Sequence, residues 1–386
     1  MEKRVGSLRS VFVIGFLLTV ALALTGYIDS SFLGLYVDVR VVGILFSLGS
    51  IASIVFLSYL PDILKSIGVR GVFHLTGFVY LLSVLGMLNF EMPIFFGLFF
   101  ILYIAAGYGL YFTIDVMIEG MSNKKSTGIT RGIYLAIYNL AYLVGPLLAG
   151  MLLKNNSFKL IYLVAGIFVI IMFLVFIKDL EKIQIPPSHR KISFSHILKR
   201  FLRSKNLFNV YITSLMLSFF FSWMSVYTPI YLHGFLGFDW QKIGTMFAIM
   251  HIPYVTLEVP IGRLADKYHS EKKIIAIGFL IVGLATIGLG IFADGSFISW
   301  TVGLVLTRIG ASFIQVGNES YFFRHVDSKD SHMIALYRNA SPMAYIIGPI
   351  IGTLVLSFTN YNNLFIVLGI IMLAVLFFAA RLKHVR

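Results

Sequence analysis

The chain has 386 residues, 58% of them hydrophobic and only 12% charged, with a formal net charge of +14. A soluble domain carries about 25% charged residues, so this chain cannot clothe itself in a water-facing surface, and its solvent is lipid. With no cysteine in the sequence, disulfides, thiolate metal sites and cysteine nucleophiles are excluded.

About 20 apolar residues cross a bilayer as a helix. Twelve such spans are read in chain order: 11–34, 41–60, 71–89, 93–118, 131–153, 158–177, 206–232, 241–261, 274–292, 297–322, 332–357 and 361–380. Of the 31 Lys and Arg, four lie in the segments assigned to the outside (Arg40, Lys154, Lys159 and Lys242), and Arg308 lies within span 10. The rest fall on the side of the termini. That is the positive-inside bias, and it predicts a multi-pass protein of the cell membrane with both termini cytoplasmic. The basic charge is thereby explained without nucleic acid. An uncleaved first span is expected rather than a signal peptide, because residues 21–38 lack a convincing small-residue cleavage site.

The sequence repeats itself at intervals of about 200 residues. "AYLVGPLLAG" from Ala141 returns as "AYIIGPIIGT" from Ala344, and "LPDILKS" from Leu60 stands opposite "LADKYHS" from Leu264. "YVDVRVVG" from Tyr36 faces "GFDWQKIG" from Gly237. The fold class expected is an all-α membrane protein of twelve transmembrane helices in two pseudo-symmetric six-helix halves, 1–178 and 206–386. Between them, the polar segment 179–205 is expected to carry a short amphipathic helix from Phe194. There Ile197, Leu198, Phe201 and Leu202 share one side, and Lys199, Arg200 and Arg203 suit an anionic leaflet. Parallel halves around a midplane site are an arrangement used by secondary transporters.

Between spans 8 and 9 lies "EVPIGRLADKYHSEKK", from Glu258 to Lys273. Gly262, Asp266, Lys267, Lys272 and Lys273 resemble the loop signature of the major facilitator superfamily, with His269 where the family prefers Gly. The copy between spans 2 and 3 is degraded: Ser58 replaces the leading Gly and Ile63 the basic residue, while Asp62, Gly68 and Arg70 remain. The resemblance implies a cytoplasmic gate in which Asp266 addresses the start of span 5 and Asp62 the start of span 11. A helix start favours a nearby carboxylate by about 0.3–1 kcal/mol, and by up to about 2 when partly buried. Gly145-Pro146 in span 5 and Gly348-Pro349 in span 11 are expected to kink their helices. They resemble the family's antiporter motif, although the closing glycine is displaced to Gly150.

A charge in hydrocarbon costs at least about 2.5–3.5 kcal/mol, so polar residues within spans mark function. On span 10, Arg308, Ser312, Gln315 and Glu319 share one helical face. On span 4, Tyr108, Tyr111, Asp115 and Glu119 do the same, and a shift of 204 carries Tyr108 to Ser312, Tyr111 to Gln315 and Asp115 to Glu319. The resemblance places spans 1, 4, 7 and 10 around a central cavity. The expected substrate and proton residues are therefore Asp115, Glu319, Arg308, Gln315, Ser312, Tyr108, Tyr111, Arg338 and Asn139. Glu319 is expected to be poised by Arg308 or Arg338. Glu119 reads as interfacial, Glu258 as part of the loop gate, and His251 as a packing histidine. Asp29 reads as either vestibule or pathway.

The function expected is secondary active transport of a small solute by alternating access, coupled to protons, with efflux by antiport the favoured direction. Nutrient import, facilitated exchange and a non-transporting receptor are the alternatives. An enzyme is not expected: Asp115-x-x-x-Glu119 has the spacing of a diphosphate-binding pair, but no second acidic cluster accompanies it. No GKS or GKT sequence is present, so ATP is not the fuel. No cofactor and no metal are expected. The expected partners are a small-molecule substrate, protons and the lipid bilayer, with the chain acting as a monomer.

Overall fold

The computed structural model describes residues 2–26, 28–37, 39–90, 92–152, 158–180, 201, 203–292, 295–327 and 330–382. Every regular element among them is a helix. Ten of the helices are long and apolar enough to cross a membrane. Two interruptions reconcile that figure with twelve spans.

Val39–Asn89 runs for 51 residues and turns at Gly68, where φ is 71° and ψ 174°. A side chain would be strained at that φ, whereas glycine adopts it freely. The run therefore contains spans 2 and 3 on either side of the loop carrying Asp62. Span 8 is divided at His251 into Trp240–Met250 and Ile252–Tyr268, pieces of 11 and 17 residues, each shorter than a membrane-crossing helix. Pro253 stands in the first turn of the second piece. It has no N–H to give the preceding turn, so the break falls just before it.

The other spans are closer to ideal. They are Glu2–Gly26, Pro93–Met121, Thr127–Leu152, Phe158–Asp179, Lys205–Ile230, Glu271–Phe292 and Phe297–His325. Span 11 comprises Ser331–Arg338 and Ala340–Phe358, and span 12 comprises Tyr361–Ala374 and Leu376–Ala380. Side chains cap several starts: Asp239 accepts the Lys242 N–H at 2.8 Å, and Asn360 the Asn363 N–H at 3.0 Å. Large apolar side chains such as Phe78 and Leu174 stay exposed, at 64% and 61%. That exposure is costly in water and natural in hydrocarbon.

Contacts group the chain into two compact units. The first contains Met1–Asn123, Ala141–Phe194 and Val326–Pro342. The second contains Lys124–Leu140, Ser195–His325 and Met343–Arg386. Each unit thus includes the opening turns of a span, 5 or 11, whose remainder belongs to the other unit. In the first unit an aromatic core of Phe32, Phe96, Tyr103 and Tyr162 packs at one end. In the second, Tyr231, Trp300, Tyr361 and Phe365 form a similar core. The expected amphipathic linker helix lies outside the described residues except for Phe201 and Arg203. The Phe201 ring meets Tyr211 edge-on at 5.3 Å.

Candidate functional site

In the first unit, the stripe on span 4 leads to an ion pair. Asp115 is buried, at 1% exposure. Its carboxylate accepts Arg338 Nε at 2.5 Å and Nη2 at 2.9 Å. This two-pronged geometry is the strongest arrangement available to a guanidinium and a carboxylate. Tyr108 and Tyr111 continue the stripe, the former 3.3 Å from the Ser341 hydroxyl and the latter donating to Thr19 at 3.4 Å.

The second unit holds a looser pair. Glu319, buried on span 10, lies 3.7 Å from Arg131 Nη1. The Arg131 guanidinium covers the Phe323 ring, 3.3 Å from its centroid. The expected pairing of Glu319 with Arg308 or Arg338 is corrected here. Arg338 engages Asp115. Arg308 precedes Glu319 by eleven residues, about 16 Å of helix rise, which is beyond the reach of its side chain. Of the other stripe residues, Ser312 bonds back to the Ile309 carbonyl at 2.7 Å and Gln315 is half-buried. Glu119, expected at the interface, is buried at 6% exposure.

A close seam joins the first turns of span 5 to the second piece of span 8. Gly128 and Gly132 form a G-x-x-x-G step on one face, opposite Glu258 and Gly262, also four apart. A Cβ on Gly132 would lie 2.5 Å from the Glu258 carbonyl oxygen, and one on Gly128 would lie 2.5 Å from that of Gly262. The approach therefore requires glycine. At the loop end of the seam, Asp266 accepts the N–H groups of Gly128 and Ile129, each at 2.8 Å. These are orphan donors of a helix start, where a carboxylate is favoured. Arg324 adds a third contact to Asp266 at 2.9 Å and reaches Glu271 at 2.8 Å.

Deeper in the seam, Asn139 donates to the Glu258 carboxyl at 3.1 Å and to the Leu135 carbonyl at 3.0 Å. Glu258 has 0% exposure. Its assignment to the loop is thus corrected: one helical turn inward from Gly262, it is sealed by the glycine contacts. Arg324 does not belong to the candidate set drawn from the sequence. The i, i+4 spacing of Glu258, Gly262 and Asp266 is the signal that places them on one face.

The degraded copy behaves differently. Asp62, with a side chain 63% exposed, meets Lys65 at 3.0 Å and the His332 ring at 3.4 Å. It touches side chains of the loop and of the first turn of span 11. Arg70 is half-buried on the same loop. In the good copy, His269 takes the left-handed conformation (φ 45°) that glycine would take without strain. Its Nδ1 lies 3.1 Å from Arg324. Lys267 and Lys273 are exposed and Lys272 half-buried.

The family model of the Major Facilitator Superfamily matches residues 5–252 and 241–386. The chain belongs to the major facilitator superfamily. Among proteins of curated function, none matches the sequence significantly. The fold is similar to that of the human organic anion transporter MFSD10 (TETRAN), with a TM-score of 0.83 at 14% identity over 97% of this chain and 99% of that one. It is also similar to the E. coli fucose:proton symporter FucP, with a TM-score of 0.76 at 12% identity over 98% of each chain.

Within this superfamily fold the remaining candidates are structural in their contacts. His251 accepts or donates at Nδ1 to the Phe247 carbonyl at 2.7 Å and lies beside Tyr254. Asp29 is buried and hydrogen-bonded to the Tyr162 hydroxyl within the aromatic core of the first unit. Gly145 of the Gly145-Pro146 pair lies against the Ala23 backbone. Gly348 lies against Ser222, and the Pro349 carbonyl, in mid-helix, accepts the Tyr227 hydroxyl at 2.7 Å.

Proposed function

We propose that this superfamily member is a proton-coupled secondary transporter that moves a small solute by alternating access, with efflux by antiport as its direction. The observation that carries the reading is the pairing of two repeat-related carboxylates, Asp115 and Glu319, with arginines on the opening turns of spans 11 and 5. A proton arriving on Asp115 removes the charge that holds Arg338, and a proton on Glu319 frees Arg131. Protonation therefore releases the same helix starts that the loop carboxylates Asp62 and Asp266 touch. Proton occupancy and gate closure act on one pair of segments, and so bias one equilibrium. The two sequence halves, 1–178 and 206–386, would be the moving parts, in a monomer of the cell membrane with cytoplasmic termini.

The test is flux into proteoliposomes under an imposed pH difference, using a labelled solute that stabilises the purified protein. Glu319→Gln and Asp115→Asn should abolish uphill accumulation while downhill exchange continues. Full accumulation by both variants sinks the coupling role and leaves the two pairs as static supports.

A further inference from the structure

Among the described residues, three other inward-facing guanidinium groups come with carboxylates: Arg131 with Glu319, Arg338 with Asp115, and Arg324 with Asp266 and Glu271. Arg308 does not. It lies well inside Phe297–His325 at 7% exposure, and among the described residues no carboxylate lies within salt-bridge distance. Its Nη1 is buried without a hydrogen-bond partner. The surroundings are aromatic instead: the guanidinium carbon is 5.4 Å from the Phe220 centroid and 5.5 Å from that of Phe221. Tyr345 lies within electrostatic reach of the same charge, as does His251. On that side Tyr345 is 40% exposed and Ser225 is exposed.

An uncompensated cation inside a span is costly, and cation–π contact with two phenyl rings offsets only part of that cost. The missing element is an anion. A guanidinium presents a planar fork that matches a carboxylate or sulfonate, and the rings around it offer an apolar wall. We propose that Arg308 anchors an organic anion, a carboxylate or sulfonate whose aromatic body lies against Phe221 and Tyr345. This inference rests on the transporter reading only in making that anion the solute carried; the binding site itself stands on the contacts of Arg308.

Binding is read without flux, as the thermal midpoint of the purified full chain in neutral detergent. Benzoate and benzenesulfonate should raise the midpoint, and neutral benzamide should not. Arg308→Gln should lose the response and, having shed a buried uncompensated charge, should melt higher than the wild type without ligand. A merely structural arginine would melt lower on removal. Arg308→Lys keeps the charge without the fork, and should respond with affinity about tenfold weaker. Equal stabilisation by benzamide, an unchanged response in Arg308→Gln, or no response to either anion overturns the site. Added phosphatidylglycerol distinguishes a lipid headgroup: if it raises the midpoint and removes the benzoate response, the anchor belongs to lipid and the substrate assignment falls. If benzoate binds but labelled benzoate does not cross proteoliposomes, the anion site holds and the transport reading fails for that solute.

Discussion

Asp115 and Arg338, 223 residues apart in sequence, close a two-pronged ion pair at 2.5 and 2.9 Å in the first compact unit. Deleting one member of a buried pair leaves the other charged and unpaired, at a cost of about 3–5 kcal/mol. The Arg338 side chain is 24% exposed, so the low end of that range applies. Arg338→Met should destabilise the protein by about 3 kcal/mol, and adding Asp115→Asn should restore much of the loss. A double-mutant cycle on unfolding in detergent measures the coupling, and simple additivity of the two losses would contradict a direct pair.

Asp266 holds the start of span 5 through two N–H groups, whereas Asp62 is largely exposed and meets only side chains. Asp266→Asn should leave expression and insertion intact. Losing a helix-end interaction of about 1–2 kcal/mol changes a two-state population about 5- to 30-fold. The cysteine-free sequence allows a single reporter at Thr130, which is buried at 7% exposure. Maleimide labelling of Thr130→Cys should accelerate in the Asp266→Asn background and change little with Asp62→Asn. Equal labelling in all three backgrounds would remove the gate role from Asp266.

The glycine seam gives a prediction with its own control. Gly132→Ala places a methyl against the Glu258 backbone carbonyl, which cannot swing aside. The helices must part, at a cost of about 1–3 kcal/mol. Gly166→Ala meets only Val84 Cγ1 at 3.8 Å, an ordinary contact, and should be neutral or slightly stabilising. The Thr130 reporter should label faster in Gly132→Ala and at the wild-type rate in Gly166→Ala.

Glu258 and Asn139 should behave as a polar pair rather than as a charge sink. Glu258→Gln keeps an acceptor for the Asn139 amide and should cost less than about 1 kcal/mol. Glu258→Leu leaves that N–H buried without its acceptor and should cost about 1–3 kcal/mol. Thermal midpoints of the two variants decide between them. A Leu variant as stable as the Gln variant would show that the Asn139 contact contributes nothing.

Composition, the Lys/Arg bias and the repeat determined from sequence alone that lipid is the solvent and that about twelve spans exist in two related halves; the superfamily came from the resemblance of the loop motif around Asp266. Those signals are sums over many residues, so no single contact can upset them. The faces bearing Asp115 and Glu319 were legible for a related reason, because helical period is local. Pairing was not legible. The spacing leaves Glu319 open to Arg308 or Arg338 and puts Glu258 with the loop, because it says nothing about which helix lies across from which. Tertiary structure decided that Asp115 takes Arg338 and Glu319 takes Arg131, that two glycines let span 5 meet span 8, and that Glu258 is sealed behind them. The physical reason is range: hydrophobic burial favours any apolar neighbour, but a salt bridge or hydrogen bond forms only within about 3–4 Å of one partner.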